Sequence, residues 1–252
     1  EPHLEYALEA GINYFDTAST YGADSEKPSE SRFGEILPAH RKKIILLTKI
    51  HDRDPEKAKK EFEESLRRLK TDYVDILLIH AVVPDDTVKD IERGVYRLIS
   101  DLKAEKTVKY IGFSSMDSAE RSEELINNLE FDVTLLAMNP TNYGNFTDIA
   151  LPAARDKNLG IIAMKVMRDI VNIHAKPKEL IEYAWNLEGV SCALISHTGL
   201  APLKENINLA LEYMESGDRM ALSFELENKL RSLAGPQYLV YAKPGYTDGH
   251  YG

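Results

Sequence analysis

The stretch Tyr73-Val74-Asp75-Ile76-Leu77-Leu78-Ile79-His80 decides the reading of the fold. From Val74 onward it is a short, nearly continuous run of Val, Ile and Leu, the pattern of a strand buried on both faces of a parallel sheet. It closes on an ionisable residue, His80. Two runs upstream close in the same way. Residues 12–16 end at Asp16, with Tyr21 just beyond in Thr17-Ala18-Ser19-Thr20-Tyr21-Gly22, and the run from residue 44 ends its strand-like part at Lys49. Packing does not account for an ionisable side chain at the end of three successive apolar strands. In a barrel of parallel strands such ends converge on the face where barrels of this kind carry out chemistry.

Further apolar runs lie at residues 110–115, 133–139, 160–166 and 191–197. The runs start about 23 to 36 residues apart, the length of one strand-and-helix unit. Helical patterns fill the intervals. The clearest is 55–70, where Ala58, Phe62, Leu66 and Leu69 form an apolar stripe, and where Glu63 with Arg67 and Glu64 with Arg68 are spaced for i,i+4 pairs. Others are expected over 1–10, 28–37, 88–104, 118–128, 147–158, 177–187 and 200–216. Alternating strands and helices with no glycine-rich dinucleotide fingerprint predict a closed α/β barrel, a (β/α)8 TIM barrel, over an open doubly wound sheet. Seven strands are visible, so the first strand of that barrel is expected to be absent from these residues. The expected organisation is one domain over 1–252, with 235–252 as a C-terminal extension lying over the barrel.

The chain has 252 residues, 43% of them hydrophobic, enough for one substantial core. With 31 basic and 41 acidic residues and a pI near 5.3, it is not expected to bind nucleic acid. No apolar run reaches membrane-spanning length and no signal peptide opens the chain, so no membrane partner and a cytoplasmic location are expected. The lone Cys192 excludes an intrachain disulfide and sits in an apolar run that predicts burial. His40, His51 and His174 lack metal-ligand spacing, so no metal is expected. Asn145-Phe146-Thr147 matches a glycosylation sequon by chance.

The quartet has a chemical reading of its own. A carbonyl accepts hydride readily only when its oxygen is protonated or polarised as charge develops. Tyr21 can supply the proton, Lys49 beside it favours the phenolate, Asp16 holds the lysine, and a neutral His80 can orient the carbonyl oxygen. The segment Gly11-Ile12-Asn13-Tyr14-Phe15-Asp16-Thr17-Ala18, with Tyr21-Gly22 and residues 29–37, resembles the aldo-keto reductase signature. Leu47-Thr48-Lys49, Ser65-Leu66-Arg67-Arg68-Leu69 and residues 73–80 resemble that family as well. The resemblance implies an eight-stranded barrel that binds extended NADPH, with NADH left open, and reduces a small-molecule aldehyde or ketone. Tyr21, Lys49, Asp16 and His80 are then the catalytic positions. The alternative on the same barrel is a non-catalytic, nicotinamide-binding regulatory subunit. Oligomeric state is not legible.

The same resemblance implies cofactor contacts farther along. Ser114 and Ser115 stand where the family holds the nicotinamide carboxamide, although Ser115 replaces a commoner Asn, and Asn139 is a further contact. Leu135 replaces a family glutamine. Met164 is placed to cover the nicotinamide face and Lys165 to meet the pyrophosphate. Ser196, His197, Lys204 and Asn206 resemble the adenosine-binding end. Plainer readings stand beside these. Ser114 and Ser115 can cap the helix starting near Ser118, Met164 can be barrel filler, and His197 and Lys204 can be surface residues.

Overall fold

Helix α1 (Pro2–Glu9) leads into strand β1 (Tyr14–Asp16), and the same alternation repeats down the chain. In this computed structural model residues 2–197, 199–215 and 221–239 are described, and they fall into two compact units divided between residues 134 and 135.

The first unit continues through helix α2 (Ser29–Ile36), a 3-10 turn (Leu37–Lys43), strand β2 (Ile45–Ile50) and helix α3 (Pro55–Leu69). It then runs through strand β3 (Val74–Val82), helix α4 (Val88–Ile91), a π-helical turn (Glu92–Tyr96), helix α5 (Arg97–Ala104), strand β4 (Val108–Ser115) and helix α6 (Ala119–Asn128). Strand β5 (Val133–Ala137) begins in this unit and ends in the next. Strands β1 to β4 pair in sequence order, each parallel to the next. That pairing buries nearly all of β2 and β3, and so explains why their sequences are mostly apolar. Gly112 lets β4 approach β5, because a Cβ there would lie 1.9 Å from the Val133 carbonyl oxygen.

Helix α3 is set by local chemistry. The Asp54 carboxylate accepts from the N–H groups of Glu56 and Lys57, Pro55 opens the first turn, and Lys70 ends the helix in the left-handed conformation at φ 52°. Its buried face is Ala58, Phe62, Ser65 and Leu69, so Ser65 takes the place expected of the half-buried Leu66. Glu64 pairs with both Arg67 and Arg68, in place of the separate Glu63–Arg67 pair. The single helix expected over 88–104 is interrupted at Gly94 (φ −100°, ψ −113°). A Cβ on Gly94 would lie 2.8 Å from the Arg53 carbonyl oxygen, so the turn opens where the neighbouring loop presses closest.

The second unit holds the end of β5, helix α7 (Ala150–Asp156), strand β6 (Gly160–Met164), helix α8 (Pro177–Asn186), strand β7 (Val190–Ala193), helix α9 (Leu200–Glu215) and helix α10 (Phe224–Arg231). Strand β6 pairs parallel with β7, and the Met138 N–H donates to Met164 O at 3.0 Å just past the end of β5. Strand β7 ends at Ala193, short of the expected 197, which leaves Ser196 and His197 beyond it. Cys192 on that strand, the last in the sheet order, is only half-buried, contrary to expectation. Helix α10 was not expected, although its signals are local. Ser223 accepts from the Leu226 N–H, Glu225 and Glu227 fill the first turn, and Lys229 and Arg231 the last. Residue 216 of the expected helix and residues 240–252 of the expected extension lie outside the described residues. Among the described residues no helix is long and apolar enough to cross a membrane, and no group of three or more His, Cys, Asp or Glu is arranged to hold a metal ion.

Candidate active site

Three strand ends of the first unit bring the quartet together. Parallel pairing sets Asp16 of β1 opposite Leu47 of β2, two residues before Lys49. The Lys49 side chain is fully buried, and its Nζ lies 2.7 Å from Asp16 Oδ1 and 2.8 Å from Oδ2. The same ammonium donates to Thr17 O at 2.8 Å and lies 4.6 Å from the centre of the Tyr21 ring. A buried cation is tolerated only when its charge and protons are matched, and these contacts match it. Burial works against the Lys49 charge, yet Asp16 and Tyr21 outweigh it and hold the ammonium pKa above its ordinary value. Burial also raises the Tyr21 phenol. Lys49 pulls it down without overcoming that burial, and Asp16 adds to the rise. The expected lowering by lysine is therefore present as a component, but the net direction is upward.

Tyr21 sits in a tight loop after β1. Its N–H donates to Ala18 O at 3.2 Å, its carbonyl accepts from Ser29 N at 3.0 Å, and Gly22 follows at φ 64°. Its ring meets His80 edge-on with centroids 5.6 Å apart. Strand β3 departs from regular pairing at His80. Ile79 pairs with Phe113 and Val82 with Ser115, so two residues, His80 and Ala81, face the single Ser114. This bulge turns the buried His80 toward Tyr21, and it holds Ala81 in the left-handed region at φ 51°. The Thr20 hydroxyl lies 3.4 Å from His80 Nδ1.

Several groups around the quartet carry no signal in the sequence. Glu30, on α2, is fully buried and accepts from Thr48 Oγ1 at 2.6 Å, with Arg68 Nη1 at 3.4 Å. Burial holds its carboxyl pKa above the ordinary value despite those hydrogen bonds. Glu61 on α3 ties the loop after β1 to the loop after β2. Its carboxylate accepts from the Ser19 hydroxyl and from the N–H groups of His51 and Asp52. His51 meets the His80 ring at 6.1 Å, and Arg53 binds Asp86, His51 O and Ala81 O. Only a knowledge of which loops adjoin one another would single out these residues.

The residues expected to hold a cofactor are distributed over both units. In the first, Ser114 accepts the Ala81 N–H at 2.9 Å, and Ser115 donates to Val82 O at 3.1 Å; both are buried. Helix α6 is capped by Ser118, whose hydroxyl accepts from Arg121 N, so capping is not the work of Ser114 or Ser115. In the second, Asn139 donates from Nδ2 to Lys165 O at 3.1 Å, while its Oδ1 accepts from Thr141. Met164 ends β6 half-buried, and Lys165 follows in the left-handed conformation at φ 59°. Past β7, Ser196 is exposed and His197 half-buried. Asn206 on α9 lies 3.0 Å from His197 Nε2, and Lys204 is exposed on the first turns of the same helix. Of the residues past β7, the structure brings His197 and Asn206 into contact; lysine ammonium groups such as those of Lys165 and Lys204 are of the type that suits phosphates.

The sequence model of the Aldo/keto reductase family matches residues 2–169. The oxidoreductase YqkF of Bacillus subtilis (strain 168) is 26% identical over 253 residues, covering 82% of this chain and 80% of its own length. The methylglyoxal reductase YeaE of Escherichia coli (strain K12) is 31% identical over 125 residues, covering 48% of this chain and 40% of its own. Among solved structures, an aldo-keto reductase from Bacillus halodurans in its holo form superposes with a TM-score of 0.72 at 18% identity. That superposition covers 93% of this chain and 86% of the other, and it gives the chain the TIM-barrel-like α/β fold of that structure.

Proposed function

The chain belongs to the aldo/keto reductase family, whose members are NAD(P)H-dependent oxidoreductases acting on carbonyl compounds, and from that premise we propose that it reduces a small aldehyde or ketone to the alcohol with Tyr21 as general acid. One observation carries the reading. Lys49 is a fully buried cation, held 2.7–2.8 Å from Asp16 and against the Tyr21 ring. A buried ion pair adds little net stability over an apolar pair of the same shape, so its role lies in the tyrosine it faces.

In this reading the Tyr21 hydroxyl gives its proton to the carbonyl oxygen as negative charge develops there. The Lys49 ammonium stabilises the phenolate that remains, and Asp16 keeps the ammonium charged and aimed. His80, with Nδ1 facing the Thr20 hydroxyl, directs its other ring nitrogen at the substrate oxygen as a hydrogen-bond donor. The bound nicotinamide supplies the hydride that goes to the carbonyl carbon. Lys165 would meet its pyrophosphate, Ser196, His197, Lys204 and Asn206 its adenosine end, and Asn139 would be a further contact. Ser114 and Ser115 would then act mainly by shaping the end of β4, Ser114 keeping its hydroxyl proton for the carboxamide. Met164 would cover the ring. NADPH is the proposed donor on the family resemblance, with NADH left open. The proposed setting is the cytoplasm, in keeping with a single cysteine.

Turnover tests the reading. NADPH oxidation with methylglyoxal and other small aldehydes is expected for the wild type and is expected to be lost in Tyr21→Phe with NADPH binding intact. Equal rates in the two proteins would remove Tyr21 from the acid's role. Tight NADPH binding without any turnover across aldehydes and ketones would favour a regulatory subunit.

A further inference from the structure

We infer that Arg53, which lies outside the quartet, is the positioning residue that sets the orientation of His80 by clamping the bulge of β3 to the end of β2. The inference rests on the proposed role of His80. The bulge leaves Ala81, a residue with a side chain, in the left-handed region at φ 51° immediately after His80. Such a conformation persists only where its surroundings over-determine it. Both backbone polar groups of Ala81 are held. The N–H donates to Ser114 Oγ at 2.9 Å, and the carbonyl accepts from Arg53 Nη2 at 3.2 Å.

The guanidinium is used on every nitrogen. Nε and Nη2 grip the two oxygens of Asp86 at 3.0 and 2.8 Å, and Nη1 donates to His51 O at 2.8 Å. Asp86 Oδ2 also accepts from Val83 N at 3.0 Å, so the loop after the bulge is drawn into the same clamp. Arg53 therefore touches the residue after His80 and the residue two beyond Lys49, and joins the strand ends that carry them. Gly94 leaves just enough room for this. A Cβ there would strike the Arg53 carbonyl at 2.8 Å, and Arg121 holds the loop after the bulge through two bonds to Pro84 O. A planar five-donor fork can satisfy a carboxylate and two carbonyls together, whereas a lysine ammonium in the same place cannot.

The test is a double-mutant cycle on the full chain with Arg53→Lys, His80→Gln and the pair, following methylglyoxal reduction and NADPH binding by cofactor fluorescence. Loosening a group that orients the substrate is expected to lower kcat/KM by about 10- to 100-fold. The NADPH Kd should not change, and the pair should be no worse than His80→Gln alone, because residues acting as one unit are non-additive. An Arg53→Lys enzyme with wild-type kcat/KM, or losses that multiply in the pair, would overturn the inference. Should Arg53→Lys fail to fold, Asp86→Asn loosens the same clamp while keeping the guanidinium, and it is judged by the same criteria. The His80 imidazole resonances give a readout independent of turnover. They should move in Arg53→Lys, and unmoved resonances overturn the inference. If the wild type turns nothing over, the proposed function fails while these resonances still decide the role of Arg53.

Discussion

Replacing Lys49 by methionine keeps the length of the side chain and removes the charge from a fully buried position. What it leaves behind sets the cost. Asp16 is 8% exposed, and its two oxygens lie 2.7 and 2.8 Å from the lost ammonium, so a carboxylate remains buried without its cation. Breaking a buried pair in this way costs about 3–5 kcal/mol. The Thr17 carbonyl also loses a donor at 2.8 Å, which adds about 1 kcal/mol or more. With a urea slope near 3 kcal/mol/M, the unfolding midpoint falls by about 1 M or more at an unchanged slope. The companion Asp16→Asn/Lys49→Met removes the stranded charge and should recover most of the loss, keeping only the share due to Thr17. Circular dichroism in urea at pH 7 measures both. A Lys49→Met protein as stable as the wild type, or a double variant no better than the single, would refute the reasoning. The pH dependence has a definite sign. The folded pKa values of Lys49 and Tyr21 both lie above their ordinary values of 10.5 and 10.0. Their contribution is therefore complete through neutral pH and is lost as pH rises through the folded values. In the wild type it fades only in the alkaline range, and in Lys49→Met the lysine share of that loss disappears.

Three further outcomes follow from the same geometry. Because burial raises the Tyr21 phenol, reduction limited by that acid should hold steady through neutral pH and fall only above about pH 10, as the phenol ionises; a pH–rate profile falling near pH 7 with this group would contradict it. Glu30 has a folded pKa above its ordinary 4.5, so its linked stability is present below that value and lost as pH rises through the folded one. Denaturant titrations of Glu30→Gln between pH 4 and 8 should lack that component, and parallel pH dependences for variant and wild type would count against it. Gly34 allows α2 to lie against α3, since a Cβ there would come within 1.9 Å of Arg68 O. Gly34→Ala should cost about 3 kcal/mol by overpacking, read as a lowered thermal midpoint, whereas an unchanged midpoint would mean the two helices slide apart freely.

Much of the fold is legible because it rests on signals a few residues long. The Ile76–Ile79 run of β3, the Asp54–Pro55 start of α3 and the strand spacing all act locally, and the elements fall within a few residues of expectation. The misses have non-local causes. Nothing near residues 88–104 announces that the Arg53 carbonyl will press on Gly94 and open a π turn there. Helix α10 carried a cap and matched end charges, yet no repeat pointed to it. The quartet was legible because each member ends or follows an apolar strand, where a polar residue stands out. Arg53, Glu61 and Glu30 were not, because each lies in a loop or helix where a charged residue is unremarkable. Their meaning depends on which loops and helices the sheet brings side by side.

The central claim is hydride delivery from a nicotinamide cofactor to a carbonyl carbon. It is tested most directly by presenting the protein with NADPH dideuterated at C4 and methylglyoxal, and analysing the alcohol by mass spectrometry. The account predicts that the product of the wild type carries deuterium on the former carbonyl carbon, and that Tyr21→Phe yields no such product while still binding the cofactor. Product formed without the label, or labelled product at the wild-type rate from Tyr21→Phe, would contradict it.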